Sequence, residues 1–287
     1  MIKYNDNEIK QNSFPDGALF FKFTEEFYPN GNIIEWNYEN DRELFTLICL
    51  VNHIREGNPR AYIHLILPYI PHARMDRAKN ISDIFTLKYF CQIINSLNFE
   101  TVQVMDAHSN VSLALLDRVE EIKPWDYIHK ALTKITFMET GNVMHEDREE
   151  CYKNLLLFYP DEGAMKRYSG EIGMPYIFAV KDRDWKTGQI KKLNLVGDVS
   201  MIEGKNILII DDICSKGGTF YHSAKALKEA GAKNIYLYIT HCENTIFEGE
   251  LLKDNGLIEK IFTTDSILTK QHEKIVLIKK EREDEND

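Results

Sequence analysis

The stretch Asn206-Ile207-Leu208-Ile209-Ile210-Asp211-Asp212-Ile213-Cys214-Ser215-Lys216-Gly217-Gly218-Thr219 decides the fold. Four consecutive aliphatic residues after Asn206 are apolar on both faces of a strand, the pattern of a parallel strand covered by helices on each side. An acidic pair follows the run, then a turn with two glycines. From Thr219 a helical spacing continues to Ala230, with Gly231 as its stop. A buried strand, a polar turn and a helix in that order are the repeating unit of an α/β protein.

The same run-then-turn pattern recurs along the chain. Strands are predicted over 61–67, 101–105, 154–158, 175–180, 206–210 and 234–239, and helices over 83–97 and 219–230. The expected fold is therefore α/β, with parallel sheets flanked by helices. A strand followed by a polar loop at Leu67-Pro68-Tyr69 and again at Ile210-Asp211-Asp212 suggests two related halves. A polar stretch from Met138 to Asp147 predicts the division between them, giving units 1–140 and 148–287. The charged tail 279–287 reads as a solvated end.

The 287 residues suffice for two domains with real cores, and 44% hydrophobic with 28% charged residues is an ordinary globular balance. A net charge of -10 excludes general nucleic-acid binding, which needs Lys and Arg to displace counterions from phosphates. No run approaches the length of a membrane span, and Met1 to Lys10 lacks a basic-then-apolar leader, so no membrane partner and a cytoplasmic location are expected. Five widely spaced cysteines without a CxxC pair predict reduced thiols rather than a disulfide framework or zinc site.

The turn after Ile210 suits a sugar phosphate. Gly217 and Gly218 let backbone N–H groups converge on an anion. Thr219 can cap the following helix and donate its hydroxyl to the same phosphate, with Ser215 and Lys216 completing the loop. Asp211 and Asp212, at the strand's carboxyl end, are placed to accept hydrogen bonds from vicinal ribose hydroxyls. A Walker loop fits worse, because its Gly-Lys-Ser/Thr spacing is absent.

This segment resembles the ribose-phosphate-binding motif shared by phosphoribosyltransferases and ribose-phosphate pyrophosphokinases. Other segments, in order, resemble the pyrophosphokinases specifically: Phe14-Pro15-Asp16-Gly17, Pro68 to Arg77, Asp106-Ala107-His108, Tyr159 to Arg167, Lys181-Asp182-Arg183 and Val196 to Val199. The resemblance spans roughly 14–266 and implies two phosphoribosyltransferase-like domains. It implies ATP contacts at Phe14, Asp16, Arg74, Met75, Asp76 and Arg77, catalytic roles for Lys181, Arg183 and His108, and magnesium held by His108 and Asp161. The implied reaction moves the β,γ-diphosphate of ATP to the 1-hydroxyl of a ribose 5-phosphate unit. A homo-oligomer is also implied. The alternatives are a phosphoribosyltransferase and a non-catalytic regulatory homologue.

Three positions depart from the family pattern. Ala18 stands where a Glu is common, Met75 where a Gln is usual, and Ser215-Lys216-Gly217-Gly218-Thr219 where Asp-Thr-x-Gly-Thr is usual. The last exchange removes an acid and adds a cation beside the 5-phosphate. It therefore predicts an acceptor with a larger 5′ substituent, such as ADP-ribose.

Overall fold

The computed structural model describes residues 1–23, 31–141, 152–183 and 190–279, with the side chains of 181–192 outside the description. The chain divides into two compact units, Met1–Lys123 and Pro124–Asp287.

In the first unit the strands are β1 (Ile2–Tyr4), β2 (Asn7–Glu8), β3 (Asn12–Ser13), β4 (Leu19–Phe20), β5 (Asn32–Trp36), β6 (Ile63–Leu67), β7 (Thr101–Met105) and β8 (Val119–Ile122). Six of them form one sheet in the order β2-β1-β5-β6-β7-β8. The last four run parallel, while β3 and β4 pair as a separate hairpin. Helices α1 (Arg42–Gly57), α2 (Thr86–Ser96) and α3 (Asn110–Leu115) accompany them. The core gathers Tyr4, Ile34, Trp36, Leu50, Ile54, Leu65 and Ile94, all fully buried. Its polar atoms are answered locally: the Trp36 indole donates to Glu43 Oε2 at 2.9 Å, and the Tyr4 hydroxyl to Asn32 Oδ1 at 2.7 Å.

The second unit holds helix α4 (Trp125–Thr140), β9 (Leu155–Tyr159), α5 (Glu162–Ile172), β10 (Tyr176–Arg183), β11 (Ile190–Val196), a 3-10 turn (Val199–Ile202) and β12 (Asn206–Cys214). After these come α6 (Gly218–Glu229), β13 (Ile235–Cys242), β14 (Lys260–Thr263) and β15 (Ile275–Leu277). Its sheet runs β11-β10-β9-β12-β13-β14-β15, parallel except for β11 against β10. Every residue of β9 and β13 is buried, which is why 155–159 and 235–239 read as continuous apolar runs. The chain leaves β9 to one side for β10 and returns on the other side as β12. The β9/β12 junction is thus a topological switch point, where a crevice opens at the strands' carboxyl ends.

Two expectations need correction. α4 belongs to the second unit, ahead of the polar stretch expected to divide the chain, because it packs on β13. Glu139 near its end accepts hydrogen bonds from Asn234, Tyr236 and Lys233. Strand β12 also continues to Cys214 instead of ending at Ile210, so the acidic pair lies inside the strand. Among the described residues, no helix is long and apolar enough to cross a membrane.

Candidate active site

The switch point collects the sugar-binding candidates of the second unit. Asp212 is buried, and Asp211 is partly buried beside it. Side chains alternate along a strand, yet the two carboxyls meet through a hydrogen bond, and Asp211 Oδ1 also accepts from the Asp212 N–H at 3.0 Å. Burial holds the Asp211 carboxyl well above the ordinary carboxylate range, helped by the Asp212 charge, their shared hydrogen bond and the charge of Asp161. Asp212 is answered by a cation that sequence reasoning missed: Arg167 of α5 places Nη1 2.9 Å from its Oδ2.

Asp161 follows β9 directly and is the N-cap of α5, its Oδ1 accepting from the Ala164 N–H at 3.0 Å. This cap fixes where α5 begins, and so sets Arg167 in the helix's second turn, facing β12. The signal lay in the Pro160-Asp161 start of the helix, but Arg167's partner is set only by the packing of α5 on β12.

The loop after β12 is tightly packed. Gly217 is left-handed with φ +77 and occupies the N-cap position of α6, with Gly218 opening the helix. Thr219 therefore lies within the first turn and is not the cap expected of it. A Cβ at Gly217 would stand 2.2 Å from Leu251 Cδ1, and one at Gly249 would stand 1.9 Å from the Lys216 carbonyl oxygen. Residues 249–251 thus lie against the loop at backbone distance. Lys216 Nζ pairs with Glu248 Oε2 at 2.8 Å, both side chains exposed, and the Glu248 carboxyl is held below its ordinary range by that cation. Beneath the loop Cys214 and Cys242 are in-register neighbours, both buried and both free thiols, as are Cys49 and Cys91.

In the first unit the β3–β4 hairpin carries Phe14 at its tip. Phe14 is 53% exposed, with its ring 4.5 Å from that of Phe20. Asp16 serves the turn, accepting from the Ala18 N–H at 3.0 Å, and Arg42 Nη2 holds the hairpin through the Gly17 carbonyl and the Ser13 hydroxyl. Arg74 and Met75 are exposed past β6. Arg77 forms a two-pronged pair with Asp76, at 2.8 and 3.0 Å. Hydrogen bonds from Arg77 hold the Asp76 carboxyl down against the opposing effect of burial, with Ser109 and the nearby His108 adding to the same effect. The first unit therefore brings Asp76, Arg77 and His108 together.

Lys181 and Arg183 lie on β10, paired with Leu193 and Ile190 of β11; their side chains lie outside the described residues, as do residues 184–189. Residues 181–183 thus lie in an antiparallel ribbon, and β11 ends at Val196. Among the described residues, no group of three or more His, Cys, Asp or Glu is arranged to hold a metal.

Known proteins supply the context for this geometry. The phosphoribosyl transferase domain model matches residues 161–255. The ribose-phosphate pyrophosphokinase of Chlorobaculum tepidum is 26% identical over 269 residues, covering 91% of this chain and 76% of the relative. That of Thermoplasma volcanium is 28% identical over 271 residues, covering 90% and 82%. The crystal structure of phosphoribosylpyrophosphate synthetase from Mycobacterium smegmatis superposes with a TM-score of 0.71 at 18% identity, covering 94% of this chain and 85% of that one. The fold is accordingly that of two phosphoribosyltransferase-like domains.

Proposed function

We propose, from its similarity to ribose-phosphate pyrophosphokinases, that the chain transfers the β,γ-diphosphate of ATP to the anomeric 1-hydroxyl of ribose 5-phosphate, releasing AMP. The observation that carries this reading is the β9/β12 switch point, where a linked acidic pair stands beside a glycine loop opening a helix. The pair suits a vicinal diol, and the loop with the α6 N-terminus suits the 5-phosphate through Ser215, Lys216, Gly217, Gly218 and Thr219.

ATP is assigned to the first unit, with Phe14 stacking on adenine and Arg74, Met75, Asp76 and Arg77 along the nucleotide. The anomeric oxygen attacks the β-phosphorus in line, the bond to the α-phosphate oxygen breaks, and the hydroxyl proton is released. Lys181 and Arg183 balance charge on the equatorial oxygens; removing either costs about 3 kcal/mol, on the order of a hundredfold in rate. Magnesium, bound with the nucleotide, would supply charge neutralisation at the phosphates. Asp161 in the second unit and His108 in the first are each a proposed contact for an ion whose other ligands would be phosphates and water. We further propose a symmetric homo-oligomer, which light scattering would size.

The larger acceptor expected from Lys216 loses its ground, since Glu248 already compensates that cation. Incubation with ATP, magnesium and a panel including ribose 5-phosphate and ADP-ribose, with products identified by mass, tests the reading. AMP and a 1-diphosphorylated ribose 5-phosphate are expected. Preference for ADP-ribose would restore the larger acceptor. Base attachment without ATP would point to a phosphoribosyltransferase, and nucleotide binding without turnover to a regulatory homologue.

A further inference from the structure

Arg167 has no role in the reading above, yet it is the cation in contact with the acidic pair. Asp212 is nearly enclosed, its side chain 6% exposed, whereas the Arg167 side chain is 27% exposed and reaches it at 2.9 Å. A carboxylate so enclosed needs a counter-charge, which the Arg167 guanidinium supplies through this ion pair. Asp211 Oδ1 accepts from the Asp212 N–H at 3.0 Å, which ties the two residues together. Helix α5 reaches the pair through Arg167, which meets Asp212.

We propose that Arg167 is a positioning residue for the sugar, fixing the Asp212 carboxylate so that the acidic pair meets the vicinal diol of a pentose phosphate. The proposal rests on the sugar-binding assignment above. It places Arg167 one step from the ligand, acting through Asp212, and it separates the two substrates: disturbing Arg167 weakens the sugar and spares the nucleotide. A purely structural ion pair would affect both in proportion to the folded fraction.

The test compares wild type, Arg167→Met and Arg167→Lys by calorimetric titration with ribose 5-phosphate and by steady-state KM for each substrate. R167M is expected to weaken ribose 5-phosphate about tenfold or more, while the KM for ATP stays within about twofold. R167K is expected to recover part of the loss, because it restores the charge without the planar fork. An unchanged sugar affinity in R167M, or parallel losses for sugar and ATP, overturns the proposal. Should R167M fail to fold, R167K decides alone, and a wild-type sugar affinity there overturns it. Calorimetry reads Arg167 whether or not AMP is released, so absent turnover would sink the diphosphotransfer reading and leave this comparison intact. Wild-type protein that does not bind ribose 5-phosphate would sink both.

Discussion

Glu139, in the last turn of α4, accepts a hydrogen bond from the Tyr236 hydroxyl of β13 at 2.5 Å, and the same carboxylate takes Asn234 at 2.9 Å and Lys233 at 3.1 Å. Burial would raise this carboxyl, but hydrogen bonds from Tyr236, Lys233 and Asn206 outweigh it and hold the group below its ordinary range. The stabilisation is therefore present above the unfolded carboxylate pKa and is lost as pH falls through the depressed folded value. Glu139→Gln is expected to lower stability near neutral pH by about 1–3 kcal/mol. Denaturant titrations should show wild type and variant converging on acidification below about pH 4.

The loop glycines give an ordered pair of effects. Gly249→Ala puts a methyl against the Lys216 backbone carbonyl, which can yield only by moving the loop. Gly217→Ala meets the buried Leu251 side chain, which yields more readily than main chain, and adds left-handed strain of about 1–2 kcal/mol. Thermal melts and ribose 5-phosphate titration should rank G249A as the more damaging for both stability and sugar affinity.

Glu248 tests the charge of the phosphate loop. Since it and Lys216 are both exposed, Glu248→Gln should leave the melting temperature essentially unchanged. It should tighten ribose 5-phosphate by a factor of about two to five at low salt, with the gain fading as ionic strength rises, which titrations at several salt concentrations would read.

Phe14→Ala separates adenine stacking from folding. More than half exposed, Phe14 contributes to the hairpin mainly through Phe20, so stability should fall by no more than about 1.5 kcal/mol. Loss of an aromatic platform should raise the KM for ATP about tenfold while the KM for ribose 5-phosphate holds.

Magnesium should bind with its nucleotide. Calorimetry of the protein with magnesium chloride alone should show no tight site, since the described residues contain no cluster of three donors. Chelation should nonetheless abolish AMP release in the presence of ATP.

The fold was legible because β9 and the stretches 207–210 of β12 and 235–239 of β13 are buried on both faces and so write apolar runs into the sequence. The ends of elements were harder to read. Asp211 and Asp212 look like loop residues, and Arg167, forty-five positions before Asp212, balances the charge at that buried strand position. The Lys216–Glu248 pair escaped for the same reason, because partners chosen by tertiary packing leave no local spacing to read. The allegiance of α4 was hidden in one carboxylate, which looks like any surface glutamate until β13 lies beside it.

A Cβ at Gly249 would meet the Lys216 main-chain carbonyl and one at Gly217 the Leu251 side chain, so the two stretches pack tightly on each other. The 215–219 loop is thereby braced from outside by a segment more than thirty residues downstream, and its shape depends on that brace as much as on its own glycines. Re-engineering the pocket for a bulkier sugar ester would require editing both stretches in concert, since widening one alone leaves the other in the way.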